Sequence, residues 1–350
     1  YWCGFIVMAP WQTWLNYGDR TLVDRHYPAM REWMGYVERY MKDGLLTRWP
    51  DTPYRDWFLG DWLAPHGVDT GSEASVSLVN NCFVSDCYAR MAQMARLTGH
   101  DDEAAAFEAR RQALNRTIHA RFYDPATQTY ATGSQLDMTY PMLVGATPDS
   151  LRAGVEQRLF RSTHDVMKDH IGGGLVGVPV ITRWAVRSHN PEFIYRMLKQ
   201  RGYPGYLHMI DHGATATWEY WSGERSRVHN CYNGIGTWFY QALGGLRTDS
   251  SHPGYEHVFI DPQIPEGVEW CRIGKETPYG RIDLGWEIAD GELRIDVTLP
   301  PGVTATAITP AGACRGRLDG RRLAPQSPGT KIASGRHRLV FGLAPQNEGR

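Results

Sequence analysis

One carboxylate in this sequence stands among large aromatic residues. Glu219 follows the small residues 213–217 and has aromatic neighbours at positions 218, 220 and 221. A carboxylate that apolar surroundings leave unpaired is costly, and such groups are typical general acids or bases. The alternative is an ion pair between Glu219 and an arginine at position 225 or 227. Residue chemistry alone leaves both interpretations open.

A second polar group, His229, follows Glu219 by ten residues. It stands with Asn230 at a predicted helix start, where Asn230 can serve as the N-cap. A lone histidine is more often structural. The loop between Glu219 and His229 is short and polar, however, so the two side chains can share one pocket.

Asp61 and Trp62 form a third polar and aromatic pair, within a long loop. In the structural interpretation, Asp61 caps a helix and the indole of Trp62 fills space in the core. In the functional interpretation, they place a carboxylate and an aromatic face at the mouth of a pocket. Residues 172–179 resemble a glycine-rich phosphate loop, but the P-loop lysine and a preceding strand are missing, so we expect no nucleotide site there.

Tryptophan is abundant, with 13 residues, and seven of them lie within residues 1–62. Aromatic side chains bury large areas in any protein core, which is the commoner reason for such a cluster. In a neutral protein the cluster also suits sugar binding, because the apolar face of a pyranose ring can stack on an indole.

Charge and composition exclude several classes of function. Lys and Arg (37) balance Asp and Glu (38), so no basic surplus is present to neutralise phosphates, and we expect no nucleic-acid partner. No stretch of about 18 apolar residues occurs, and we expect no membrane span. The six cysteines show no zinc-type spacing, which favours buried free thiols and predicts no metal site.

The hydrophobic pattern predicts two domains that differ in secondary structure. Apolar residues from 22 to 41 recur at helical spacing, and similar stretches predict further helices at 74–98, 102–121, 148–160, 173–187, 191–201 and 231–245. Residues 282–288 and 293–299 instead alternate at period two around Asp290-Gly291, which is typical of a β-hairpin. We therefore predict a helical domain over 1–248 and a small antiparallel β-sandwich over 249–350.

Serial helices of this length, joined by long loops, favour a closed toroid of helical hairpins. A solenoid is the alternative, but a solenoid should show a sequence period. The predicted fold class is therefore a mainly α, multi-domain protein: an (α/α)6 six-hairpin toroid, incomplete at its N-terminus, followed by the β-sandwich.

Several segments together resemble the bacterial α-L-rhamnosidase family of glycoside hydrolases. They are Trp2–Trp11 with Tyr17-Gly18-Asp19, Gly60–Pro65 (the family's G-D-W-L loop), Gly213–Glu219 (G-A-T-T-x-W-E), His229-Asn230 with Gly236–Tyr240, and Thr277–Gly280 with Pro300–Gly302. The resemblance covers residues 1 to about 310. It implies an (α/α)6 barrel and a C-terminal sandwich, in agreement with the pattern of the hydrophobic residues.

The resemblance also implies an activity: inverting hydrolysis that releases terminal α-L-rhamnose from glycosides or polysaccharides. Glu219 corresponds to the family's general base, and no cofactor is implied. The implied substrate-binding residues are Trp2, Asp61, Trp62, Trp218 and His229. The two alternatives are a six-hairpin glycosidase of different sugar specificity and a carbohydrate-binding protein without catalysis.

The sequence departs from the family pattern in three places. The family's general acid lies in a segment upstream of the position where this sequence starts, so we expect the chain to be a piece of a longer enzyme. Cys3-Gly4 replaces a Gly-Asp pair, and His229-Asn230-Cys231 replaces the family's Asn-His-Tyr.

Overall fold

The computed structural model describes residues 2–49, 58–65, 72–323 and 329–343, and the side chains of Trp2 and Cys314 lie outside the described part. The chain forms two compact units. The first contains Tyr1–Trp11 and Thr21–Ile235, and the second contains Gln12–Arg20 and Gly236–Arg350. A helical part is therefore followed by a sheet-rich part, as the hydrophobic pattern predicted.

Helices dominate the first unit. They are the first part of α1 (Phe5–Tyr17), whose residues from Gln12 onward belong to the second unit, and α2 (Thr21–Arg39), α3 (Glu73–Leu97), α4 (Asp101–Phe122), α5 (Gln135–Val144), α6 (Asp149–Arg161), α7 (Gly177–Arg187), α8 (Pro191–Leu198) and α9 (Tyr206–Asp211). Two short hairpins interrupt them: β1 (Met41–Lys42) with β2 (Leu45–Leu46), and β3 (Tyr123–Asp124) with β4 (Thr129–Tyr130).

Helix α3 forms the centre of the first unit. Its N-cap is Ser72, whose hydroxyl accepts the main-chain N–H of Ser75 at 3.3 Å. Two buried asparagines of α3 hold neighbouring loops. Asn81 exchanges hydrogen bonds with the main chain of Leu46, and Asn80 donates to the carbonyl of Leu59 at 2.9 Å. The second of these bonds anchors the loop that carries Asp61 and Trp62.

The predicted helices that correspond to α2, α3, α4, α6, α7 and α8 are present, with shifts at their ends. Helix α7 begins at Gly177 rather than at residue 173, because main-chain groups before it bind another loop. The helix predicted over 231–245 is a succession of short turns: 3-10 at Asn233–Ile235, α at Gly236–Trp238 and π at Phe239–Leu243.

Helices α1, α5 and α9 and the β3–β4 hairpin were absent from the predicted elements. Helix α5 is buried along its whole length and contains Pro141, so neither a polar face nor clean periodicity marked it. Its N-cap is Ser134, and it ends at Gly145, whose φ is 79°. Helix α1 contains Pro10 within an apolar run, which obscured it in the same way.

The second unit is a β-sandwich. Its strands are β5 (Leu246–Thr248), β6 (His257–Ile260), β7 (Trp270–Thr277), β8 (Gly280–Ala289), β9 (Glu292–Leu299), β10 (Thr304–Ile308), β11 (Ala313–Leu318), β12 (Arg321–Arg322), β13 (Gly329–Ile332) and β14 (Gly335–Leu343). One sheet has the order β12-β11-β14-β9-β8-β7, and the other has the order β13-β10-β6-β5.

The six-stranded sheet is antiparallel throughout, as predicted. The four-stranded sheet differs from the prediction at one position, because β10 pairs with β6 in parallel. The chain leaves β6, builds three strands of the other sheet, and returns to β6 in the same direction. Period-two alternation cannot reveal this direction, since it is the same in parallel and antiparallel pairs.

Alternate residues of the two sheets pack against each other in one apolar core. It includes Val258, Ile260, Ile282, Leu284, Trp286, Ile295, Val297, Ala305, Ile332, Leu339 and Phe341. The segment Gln12–Arg20 belongs to this unit, and Gly254 donates its N–H to the carbonyl of Leu15 at 3.0 Å. The division between residues 248 and 249 stays a prediction. Strand β5 pairs with β6 within the second unit.

Candidate functional site

The main chain of Glu219 is held on both sides. The segment from Thr217 to His229 turns back on itself, so that Glu219 donates its N–H to the carbonyl of Ser226 at 2.8 Å and His229 donates to the carbonyl of Thr217 at 2.8 Å. The hydroxyl of Thr217 also donates to the carbonyl of His229 at 2.5 Å. These bonds bring the Glu219 and His229 segments together.

Tyr232 fixes the other side of the Glu219 main chain. Its hydroxyl donates to the carbonyl of Glu219 at 3.1 Å and also approaches the carbonyl of Leu63 at 3.0 Å. One side chain therefore joins the candidate carboxylate to the loop that follows Asp61 and Trp62. Burial raises the pKa of Tyr232 well above its usual range, so the phenol keeps its proton and remains a donor.

Stacked aromatic rings support this junction. The rings of Trp221 and Tyr232 lie 3.9 Å apart between centroids, with an interplanar angle of 19°, and Tyr206 meets Trp221 edge-on at 5.2 Å. The indole N–H of Trp221 donates to the carbonyl of Gly173 at 3.0 Å. The three rings restrict how far the Glu219 loop can move relative to the glycine-rich segment.

Asp61 holds the start of α7. One carboxylate oxygen accepts the N–H of Gly174 at 2.7 Å, and the other accepts those of Val176 (3.0 Å) and Gly177 (2.9 Å). Burial raises the pKa of Asp61 to about 6, although the three N–H donors act in the opposite direction. The side chain is 7% exposed. This placement favours the capping interpretation over that of a sugar-hydroxyl ligand.

Gly174 allows this arrangement because the Trp62 loop touches it directly. A Cβ atom at position 174 would lie 2.1 Å from the carbonyl oxygen of Trp62 and 2.6 Å from the nitrogen of Ala64. The next residue, Leu175, donates its N–H to that same Trp62 carbonyl at 2.7 Å. The glycine-rich segment is therefore a backbone docking site for the Trp62 loop, a role different from phosphate binding.

The side chain of Glu219 is partly accessible, with 19% exposed. The guanidinium group of Arg225 faces it: Nη1 lies 4.0 Å from Oε1, and the arginine side chain is 61% exposed. A contact of that length at an exposed group contributes little free energy. Arg225 packs over the ring of Tyr220, and Arg227 over that of Trp218. The alternative of a tight ion pair to Glu219 is therefore not what the geometry favours.

The other predicted site residues differ in accessibility. Trp62 is half-buried, whereas Trp218 is 2% exposed. Nδ1 of His229 accepts the N–H of Cys231 at 3.1 Å, which in the neutral imidazole leaves the proton on Nε2, available as a donor. The side chain of Trp2 lies outside the described residues.

Two residues of this region had no predicted role. Tyr232 carries the junction described above, and its position directly after Cys231 in an aromatic segment was the available signal. Burial raises the pKa of the Cys231 thiol to about 11, with the carboxylates of Glu219 and Asp61 adding to the effect. The thiol therefore stays protonated near neutral pH and is not a nucleophile.

Within the described residues, His, Cys, Asp and Glu side chains do not gather in groups of three or more that could hold a metal ion. No helix of the described part combines the length and the apolar character needed to cross a bilayer.

Comparison with known families gives two matches along the chain. The model of the bacterial alpha-L-rhamnosidase 6 hairpin glycosidase domain matches residues 1–243, and that of the bacterial alpha-L-rhamnosidase C-terminal domain matches residues 245–321. These matches confirm the predicted fold class, a six-hairpin domain followed by a sheet domain.

Curated relatives and solved structures agree with the family models. An alpha-L-rhamnosidase of Alteromonas sp. (strain LOR) is 24% identical over 328 residues, covering 89% of this chain and 34% of the relative. One of Streptomyces avermitilis is 25% identical over 318 residues, covering 87% and 29%. This chain thus spans about a third of the length of the curated relatives it matches.

Two solved structures share the fold. The alpha-L-rhamnosidase of Dictyoglumus thermophilum superposes with a TM-score of 0.86 at 18% identity, covering 97% of this chain and 39% of that one. The alpha-L-rhamnosidase of Streptomyces avermitilis, complexed with L-rhamnose, gives a TM-score of 0.80 at 22% identity, covering 96% and 32%.

Proposed function

Since this chain belongs to the bacterial α-L-rhamnosidase six-hairpin glycosidase family, we propose that its protein releases terminal α-L-rhamnose from glycosides or polysaccharides by inverting hydrolysis. Glu219 is the general base in this proposal. The observation that carries the assignment is a carboxylate with a fixed main chain and an accessible side chain: Ser226 and Tyr232 hold its N–H and C=O, while the carboxylate keeps 19% of its surface exposed.

Inverting hydrolysis requires two groups on opposite faces of the sugar. A carboxylic acid protonates the leaving oxygen, and a carboxylate removes a proton from water that attacks the anomeric carbon. Glu219 suits the second role because its side chain is partly accessible, and its contact with Arg225 is long, at 4.0 Å, and made to a largely solvated guanidinium group. The hydrogen bonds to its main chain restrain the position of the residue, which supports a role that requires a well-placed carboxylate.

Trp62 and His229 are the proposed sugar contacts. Trp62 lies on the loop that Gly174 and Tyr232 hold in place, so its half-buried indole can present a fixed apolar wall to the ring. His229 offers its Nε2–H to a sugar hydroxyl, because Nδ1 is occupied by the N–H of Cys231. Trp218 is buried, and we propose that it packs beneath the Glu219 segment rather than touching the sugar.

The test is activity on a panel of aryl glycosides, measured with the natural polypeptide that contains this chain. We expect cleavage of the aryl α-L-rhamnoside and little cleavage of the other aryl glycosides. Proton NMR of the first product should show β-L-rhamnose, as inversion requires. Cleavage of a different glycoside alone would contradict the substrate, and α-L-rhamnose as first product would contradict the mechanism.

Glu219→Gln keeps the shape of the side chain and removes its basicity. Loss of a positioned general base should lower kcat by about 10²–10⁴-fold, with little change in KM or Tm. The matched control is Glu224→Gln, the same change at an exposed glutamate of the same loop, which should leave kcat unchanged. Near-native turnover by Glu219→Gln would remove the assignment of the base.

A further inference from the structure

A depression lies on the outer face of the six-stranded sheet, and a glycine forms its floor. Gly285 of β8 is paired with Arg272 of β7 on one side and with Asp296 of β9 on the other. Because Gly285 has no side chain, the backbone of the sheet is uncovered at this point, and the space above it measures about 600 Å³. Glycine inside a strand weakens the strand, and it often marks a place where a ligand approaches the backbone.

An exposed tryptophan stands at the rim of this depression. Trp270 of β7 is 66% exposed and is paired with Glu287 of β8, one row away from Gly285. Side chains that alternate with these residues, such as Trp286, point into the sandwich core. Trp270 therefore has no part in that core, and a large indole held in solvent by a regular strand is a typical contact surface.

Polar groups surround the opening, and their charges nearly cancel. The charged side chains lining it are Glu269, Arg272, Asp283, Glu287, Arg294, Asp296 and Arg336. Some of them pair with each other or with neighbours. Arg294 lies 3.8 Å from Glu287, and Oδ1 of Asp283 accepts from Nε of Arg281 at 2.8 Å. Asp296 accepts two hydrogen bonds of 2.7 Å from Arg338.

Two guanidinium groups remain available for a ligand. In the part of the chain that the structure describes, Arg272 and Arg336 have no ion-pair partner, and both are exposed. Hydrogen-bond donors and acceptors therefore surround the flat apolar ring of Trp270, on a surface whose charges nearly cancel. The complementary ligand is neutral and rich in hydroxyl groups, and it has one flat apolar side. An anionic polymer or a phosphate would face the carboxylates of Asp283 and Glu287.

We propose that this face binds a neutral saccharide, as a site separate from Glu219. One face of a pyranose ring stacks on Trp270, and the ring edge lies over Gly285. Its hydroxyls accept from Arg272 and Arg336 and donate to the carboxylate of Asp283, whose Oδ1 also accepts from Arg281. The site serves to hold a polysaccharide chain, and it rests on the second unit alone, so it does not depend on the proposed hydrolysis.

Affinity electrophoresis tests the proposal, with a soluble rhamnose-bearing polysaccharide in the gel and dextran as a second probe. The parent is the natural polypeptide carrying Glu219→Gln, so that the polymer is not consumed. We expect one of the two polymers to retard the parent. Trp270→Ala should lower the apparent affinity at least tenfold. Gly285→Val should do the same, because its Cβ would lie 3.2 Å from Cγ of Arg272 and fill the floor.

The matched control is Tyr279→Ala, which removes a 42% exposed aromatic residue from the same domain. It should leave the retardation unchanged, and thermal unfolding of each variant checks that the sandwich is intact. In the enzyme with an unmodified Glu219, Trp270→Ala should keep kcat/KM for a small aryl rhamnoside within about twofold.

Three results would overturn the proposal: a parent that neither polymer retards, retardation that survives both Trp270→Ala and Gly285→Val, or equal loss in Tyr279→Ala. The hydrolytic proposal fails on a different measurement. If Glu219→Gln cleaves aryl rhamnosides like the parent enzyme, the base assignment is wrong, while the effect of Trp270 on retardation still decides the saccharide site.

Discussion

Two carboxylates of the first unit have contrasting surroundings. Asp61 is almost fully buried and receives three main-chain N–H groups, whereas Glu219 has a partly exposed carboxylate and a restrained main chain. The first arrangement commits most of the acceptor capacity of the carboxylate to main-chain N–H groups. The second leaves that capacity for chemistry.

The buried carboxyl of Asp61 should make stability depend on pH. Its pKa of about 6 in the folded protein lies above the ordinary value of 3.8. The folded state therefore binds this proton more tightly than the unfolded state does. The stabilisation is fully present below pH 3.8 and is lost as pH rises through about 6, with a range of at most about 3 kcal/mol.

Asp61→Asn removes this titration and serves as the reference. Urea unfolding of both proteins between pH 4 and pH 7 should show the free energy of unfolding of the natural protein falling, relative to that of the variant, as pH rises. A difference that is constant across this range, or that grows with pH, would show that the carboxyl is ionised throughout in the folded state.

Trp62 gives a second prediction at the scale of one residue. If its indole forms the wall of the sugar site, Trp62→Ala should weaken the binding of L-rhamnose by about 1–3 kcal/mol, the range for an aromatic contact that matters. Isothermal titration of the natural polypeptide measures this effect.

Trp33→Ala is the matched control for Trp62→Ala. Trp33 lies on α2 and is also half-buried, so its loss should lower stability and leave the affinity of the folded protein unchanged. Equal losses of affinity in both variants, or no loss in Trp62→Ala, would show that Trp62 has only a packing role.

At the scale of elements, the site depends on how the start of α7 meets the Trp62 loop. Gly174→Ala places a methyl group 2.1 Å from the carbonyl oxygen of Trp62, and a backbone atom cannot rotate away. We expect a destabilisation of about 1–3 kcal/mol or more, in the range for overpacking, together with a lower kcat, because the loops around Glu219 are displaced. Thermal unfolding and aryl rhamnoside kinetics measure the two effects.

Gly35→Ala provides the comparison for Gly174→Ala. Gly35 lies inside α2 with nothing within 4 Å of the added methyl group, so alanine should raise stability by about 0.5–1 kcal/mol and leave kcat unchanged. If both substitutions had the same effect, close approach at position 174 would not be the cause.

At the scale of the whole molecule, the two units have separate apolar cores. Phe341 is buried in the sandwich, and Leu78 is buried in α3 of the helical unit. Calorimetry should show two transitions. Phe341→Ala should lower one of them and Leu78→Ala the other, with losses of about 3–5 and 2–5 kcal/mol. A single transition that both variants shift by the same amount would contradict separate folding units.

The sequence by itself determined the kinds of structure and the principal candidate for chemistry. Period-two alternation around Asp290-Gly291 predicted the β8–β9 hairpin, and helical periodicity predicted α2 and α4, because half-exposed elements must alternate their residues in these ways. Elements buried on all sides, such as α5, leave no such pattern. Glu219 was recognisable because its aromatic neighbours are adjacent in sequence.

Only the tertiary structure decided which distant groups meet. Asp61 reaches Gly174 across 113 residues, and Tyr232 reaches Leu63 across 169. The parallel pairing of β6 with β10 and the opening above Gly285 likewise depend on which strands become neighbours. Local patterns depend on the burial of one face, whereas these contacts arise from how several elements pack together. The sequence therefore indicated the candidate base, and the packing decided which groups hold its main chain and which main-chain N–H groups Asp61 accepts.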